Sequence, residues 1–106
     1  MHLVKLSDIE IQRELNALEG WSRKGEAIAK AFEFATFPQG IAWVNRVADA
    51  AQAANHHPDL DIRYTRIVAT LSTHDSGGIT SKDFALARLM DDAARPPRAD
   101  EPDRRA

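Results

Sequence analysis

Cysteine is absent from all 106 residues, which excludes a disulfide scaffold, a thiolate zinc site and a cysteine nucleophile. Long apolar runs are absent too: none approaches the roughly 20 residues of a membrane helix, and Met1–Leu6 has no signal-peptide character. Charge of one sign is lacking. Fourteen Lys+Arg stand against sixteen Asp+Glu, a formal net charge of -2, so nucleic-acid binding driven by bulk charge is not expected. What is present is ordinary for a globular chain: 43% hydrophobic and 28% charged residues, which argue against intrinsic disorder. The length suits one domain with one core. The expectation is a single soluble, cytoplasmic domain.

Arg95–Ala106 holds three of the five prolines and seven charged residues, with no large apolar side chain. Such a segment cannot offset its own ordering entropy, so residues 95–106 are expected to form a disordered tail after one domain over residues 1–94. Ser7-Asp8-Ile9-Glu10 has the form of a capping box, followed by Ile11, Leu15 and Leu18 at helical spacing until Gly20. A short strand over Trp21–Arg23 turns at Lys24-Gly25-Glu26 into a second, where Ile28, Lys30, Phe32 and Phe34 share the core-facing parity. Thr36-Phe37-Pro38 begins a helix with an apolar stripe of Ile41, Val44, Ala48 and Ala51, flanked by Trp43 and Val47. That helix should end near Asn55-His56-His57, because Pro58 disfavours helical geometry before it.

Leu60, Ile62 and Tyr64 alternate with Asp59, Asp61 and Arg63 as a half-buried strand, with Tyr64 read as a sheet-core residue. Ile67, Ala69 and Leu71 form another strand. Asp75-Ser76-Gly77-Gly78 is a turn, and Thr80 caps a last helix carrying Phe84, Ala87, Leu89 and Met90. The order helix, strand, strand, helix, strand, strand, helix predicts an α+β fold: a four-stranded antiparallel sheet with three helices packed on one face. The other face is then polar or covered by a partner chain.

Histidines supply the chemistry-bearing groups. His56-His57 follows the middle helix and His74 ends the last strand, and imidazoles that titrate near neutrality are general acid–base candidates. Each also has a bland reading: a cation at a helix C-terminus, or a turn residue. Asp83 can support the Thr80 cap. Gln52 is four residues before His56, so a shared helix face would let its amide orient that imidazole. A metal site is the weaker reading, since adjacent histidines diverge and no HExxH spacing occurs.

Taken together, His56-His57-Pro58, Tyr64, His74 and Asp83, separated by five, nine and eight residues, are a specific set. It resembles the pterin-4a-carbinolamine dehydratase family, members of which also serve in animals as dimerisation cofactors of a homeodomain transcription factor. Leu18-Glu19-Gly20-Trp21, Phe32-x-Phe34-x-x-Phe37, Val47-Ala48 and Leu71-Ser72-Thr73-His74-Asp75 extend the likeness over roughly residues 6 to 92. The resemblance implies an α+β fold of four antiparallel strands and three helices. It implies dehydration of 4a-hydroxytetrahydrobiopterin to quinonoid dihydropterin in tetrahydrobiopterin recycling, with no metal or organic cofactor.

By the same resemblance His56, His57 and His74 are the catalytic residues, backbone groups around Ser72 and Thr73 bind the pterin's aminopyrimidinone edge, and Asp83 holds a histidine. A homodimer or homotetramer working beside an aromatic amino acid hydroxylase is implied as well. One position departs from the family: an acidic residue is expected four before the first motif histidine, and Gln52 stands there. Gln52 supplies a hydrogen bond to His56 but no charge, so reduced rather than abolished activity is expected. The alternative is a non-catalytic member acting as a protein-binding partner or assembly factor.

Overall fold

A computed structural model describes residues 4–95. The order is α1 (Asp8–Asn16), β1 (Ser22–Lys24), β2 (Ala27–Glu33), α2 (Phe37–Ala54), β3 (Asp59–Arg63), β4 (Arg66–Leu71) and α3 (Ser81–Ala94), with a 3₁₀ turn at His74–Ser76. The strands form one antiparallel sheet in the order β1-β2-β4-β3. The expected α+β architecture is therefore the observed one. Of the expected tail, Arg95 caps α3, and the remainder lies outside the described residues.

Local chemistry starts each helix. Ser7 and Glu10 close a reciprocal capping box on α1, Thr36 caps α2 through Gln39 N–H, and Thr80 with Asp83 closes a second box on α3. α2 stops because Asn55 turns into the left-handed region (φ 51°, ψ 43°), with its N–H directed at the carbonyls of Ala51 and Gln52.

The core lies between the helices and one face of the sheet. Ile28 and Phe32 of β2 with Ile67, Ala69 and Leu71 of β4 meet Ile11, Trp43, Val47, Ala51, Phe84, Ala87 and Met90 of the helices. Trp43 is fully buried against Phe32 and Phe34, and its Nε1 donates to the Met90 carbonyl at 3.0 Å. Emptying such a site costs on the order of 3–5 kcal/mol. Trp43 therefore sets the rotation of α2, and the buried stripe is Gly40, Trp43, Val47 and Ala51. This corrects the expected stripe: Ala48 is exposed and Ile41 only partly buried.

In α3 the same kind of correction applies. Leu86 joins the core while Leu89 is 45% exposed, because the buried Asp83 and Phe84 fix which side faces inward. β3 is an edge strand, so its half-burial is shallower than expected: Leu60 is partly covered and Ile62 is 42% exposed. Tyr64 is not in the sheet core. It sits in the β3–β4 turn at φ 56°, 75% exposed, stacked on the Phe37 ring. A two-residue antiparallel turn needs positive φ, and no glycine is present to supply it.

The sheet face away from the helices carries small residues, Ala27, Ala29, Ala31, Val68 and Thr70, between charged margins at Asp59, Asp61, Arg63 and Arg66. No helix among the described residues is long and apolar enough to cross a membrane.

Candidate active site

Strand register brings the sequence-predicted site residues to one end of the sheet. Asp59 pairs with Thr70 and Ile28 with Leu71. The chain entering β3 (His56–Pro58), the chain leaving β4 (Ser72–His74) and the start of β2 therefore meet there. The N-terminus of α3 closes the group from the helix side through Thr73, Thr80 and Asp83.

Asp83 is the centre of a buried polar network. Its carboxylate is fully buried and accepts three hydrogen bonds: from Thr80 N–H (2.9 Å), from Thr73 Oγ1 (2.9 Å) and from His56 Nε2 (2.5 Å). Because Thr73 donates to Asp83, the Thr80 hydroxyl donates to Thr73 at 2.7 Å. Every buried side-chain polar atom among the described residues has a partner, as an interior of low dielectric requires. Asp83 thus performs both roles considered for it, helix cap and histidine holder. Its carboxylate keeps the His56 proton on Nε2, which leaves Nδ1 as the other functional nitrogen of a ring that is 8% exposed.

Gln52 does not meet His56. Its Oε1 accepts from Nε2 of the exposed His57 at 3.2 Å. The helical i, i+4 relation fails because Asn55 leaves the helix between the two residues, and His56 turns inward to α3. The charge missing at Gln52 is therefore missing beside His57, which corrects the expectation that it bears on His56.

His74 opens the 3₁₀ turn and is exposed, on the rim of an open depression of about 370 Å³. Ser72, Thr70, Asp59, Glu26 and Gly78 line it as well. Ser72 Oγ donates to the Glu26 carbonyl at 2.7 Å and ties β4 to β2. The backbone of Thr73 is engaged with Gly78 in both directions, at 2.9 and 3.2 Å, which closes the loop that carries His74. A groove of similar size between α1 and α3, lined by Glu10, Arg13, Glu14 and Arg88, has no histidine among the described residues that line it. Among the described residues no group of three or more His, Asp or Glu side chains is placed to hold a metal ion.

Sequence reasoning did not single out Glu26, Asp59 or Thr80 as members of this region. Asp59 directly follows the His-His-Pro run, and its alternation with Leu60 was the available signal that it points away from the core.

An antiparallel α+β sandwich with a buried histidine–carboxylate pair and two exposed histidines at one sheet end defines an acid–base class of site. The pterin 4 alpha carbinolamine dehydratase pattern matches residues 4–93, and the chain belongs to that family. A protein of Roseiflexus sp. (strain RS-1), named "Putative pterin-4-alpha-carbinolamine dehydratase", is 50% identical over 88 residues, covering 83% of this chain and 95% of its own. Among solved structures, a transcriptional coactivator/pterin dehydratase from Brucella melitensis superposes with a TM-score of 0.84 at 33% identity, covering 86% of this chain and 99% of that one. A pterin dehydratase-like protein described as a RuBisCO assembly factor in the α-carboxysome shares the fold (TM-score 0.58, 23% identity), over 70% of this chain and 86% of that one.

Proposed function

We propose that this protein catalyses loss of water from a 4a-hydroxytetrahydropterin, using its histidines as general acid and base. A proton is delivered to the 4a-hydroxyl, the C4a–O bond breaks and water leaves. The N5 lone pair forms the C4a=N5 bond as N5 gives up its proton to a base. The products are quinonoid dihydropterin and water, so one proton is supplied and one is taken. His74 and His56 serve the hydroxyl, and His57, steadied by Gln52, positions the ring and receives the N5 proton. Each positioned proton transfer is worth about 10²- to 10⁴-fold. The reading carries with it a cytoplasmic homo-oligomer that recycles tetrahydrobiopterin beside an aromatic amino acid hydroxylase.

The observation that supports this most directly is the division of labour at the sheet end. One imidazole is locked to a buried carboxylate, while His74, with no side-chain partner among the described residues, stands on the rim of an open depression. A structural role accounts for the first and leaves the second unexplained. The test is breakdown of the 4a-carbinolamine, generated in situ by a hydroxylase, with wild type and with His74→Ala against the spontaneous rate. Wild type should accelerate breakdown, and His74→Ala should lose about 10²-fold or more of that acceleration. No acceleration at stoichiometric wild-type protein overturns the enzymatic reading and leaves that of a protein-binding family member.

A further inference from the structure

Resting on the function proposed above, we propose that the Asp59 carboxylate binds the aminopyrimidinone edge of the pterin and selects for its 2-amino group. A pterin presents two adjacent donors there, the 2-amino N–H and the N3–H. Two parallel donors are matched by the two oxygens of one carboxylate, a charge-assisted and bidentate arrangement. The site therefore calls for an acceptor beside His74 that no protein group already occupies.

The lining of the depression narrows the choice. Glu26 is paired with Lys5 (3.5 Å) and Arg23 (3.6 Å), which partly neutralise it. Its carbonyl and the Ser72 hydroxyl bond each other. Of the backbone groups expected from the sequence to bind the pterin, those of Ser72 and Thr73, the N–H and carbonyl of Thr73 are both engaged by Gly78. Asp59 differs from all of these. Along β3 the next carboxylate on the same face, Asp61, is taken by Arg63 at 3.3 Å, whereas Asp59 has no hydrogen-bond or ion-pair partner among the described residues.

Position agrees with chemistry. Asp59 opens β3 directly opposite Thr70, and β4 runs on from Thr70 through Leu71 to Ser72 and His74. The carboxylate and the imidazole thus face one depression from adjacent strands. Its volume of about 370 Å³ lies in the range of small-molecule sites. A ring held at Asp59 by its pyrimidine half extends across the depression toward His74 with its reacting half.

The test compares binding of a pterin with binding of its 2-oxo counterpart, a lumazine, by fluorescence titration of wild type, Asp59→Asn and Asp59→Glu, beside the turnover assay. Wild type should prefer the 2-amino ring by about ten- to a hundredfold, the scale of hydrogen bonds to a charged group. Asp59→Asn should bring the two ligands within a few-fold of each other and raise KM more than it lowers kcat. Asp59→Glu should retain most of the preference. An undiminished preference in Asp59→Asn overturns this inference alone and leaves the dehydratase reading standing. Wild type that binds neither ring and does not accelerate breakdown overturns the functional reading, and this inference with it.

Discussion

The two ends of the sheet share a motif but not a design. At one end His56, His57, His74 and Asp83 converge, with Asp83 accepting three hydrogen bonds in a fully buried position. At the other end, one β3 length or about 16 Å away, Tyr64 sits exposed in a left-handed turn against Phe37. The same spaced set of residues therefore gathers titratable side chains at one end and fits turn geometry at the other. Spacing in a sequence says that positions matter together; it does not say that they touch. Even the site end is divided, since His56 lies inside a network that low dielectric makes costly to break, while His57 and His74 are open to solvent.

The sharpest way to break this comparison is Asp83→Ala. It leaves Thr80 N–H, the Thr73 hydroxyl and His56 Nε2 without their acceptor, at a cost of about 3–5 kcal/mol in urea unfolding. Activity should fall with it. His74→Ala, by contrast, should change stability by no more than about 0.5 kcal/mol, as expected for a surface substitution without buried contacts. Equal stability losses in the two variants would refute the division into a buried scaffold and an open face.

Gln52→Ala addresses the open face. Removing one orienting hydrogen bond should lower turnover roughly fivefold, about 1 kcal/mol, with unfolding unchanged. Nitrogen NMR shifts of His57 should lose their preference for the Nε2–H form while those of His56 do not move. A response at His56 would restore the pairing that the linear spacing suggested. Gln52→Glu keeps the acceptor and should retain or raise turnover.

At the far end, Tyr64→Gly relieves a left-handed residue worth about 1 kcal/mol but loses the ring contact with Phe37, so its net effect should be within about 0.5 kcal/mol. Tyr64→Ala keeps the strain and loses the contact, and should be destabilised by about 0.5–1 kcal/mol. Turnover of both variants should match wild type. A large loss of activity in either would show that the two ends are coupled.

The smallest effect concerns α1. The hydrogen bond and then the charge of Arg23 hold the Asp8 carboxyl below the usual carboxylate range, and the Ser7 backbone and side chain do the same for Glu10. Depressed folded values mean that this stabilisation is complete above the ordinary carboxylate pKa of about 4 and is lost as pH falls through the lower folded values. In urea unfolding from neutral pH downward, wild type should therefore hold its advantage over Glu10→Gln until about pH 4 and then lose it. An advantage that grows on acidification would contradict the capping assignment.

Much of the fold was legible because its signals are local. Ser7 with Glu10, Thr36 before Pro38, and Thr80 with Asp83 are caps whose partners lie within three residues, so sequence and structure agree on where helices begin. Alternation marked Ile67, Ala69 and Leu71 as an inward-facing row. The misreadings share a cause. Ala48 for Gly40, Leu89 for Leu86 and Tyr64 as a core residue are errors of phase or position that apolar spacing cannot resolve. Several rotations of a helix satisfy one pattern, and only the bulk of Trp43 or the buried Asp83 selects among them.

By itself, the sequence determined the order of elements, the helix starts, the exit of α2 before Pro58 and the set of residues with acid–base chemistry. These depend on hydrogen bonds and steric limits acting over a few residues. The tertiary structure alone decided that Asp83 takes His56, that Gln52 falls to His57, that Tyr64 stands apart and that Asp59, beside His74, is left without a partner among the described residues. Those outcomes depend on the rotation of helices and the register of strands, which are set by packing the whole core at once.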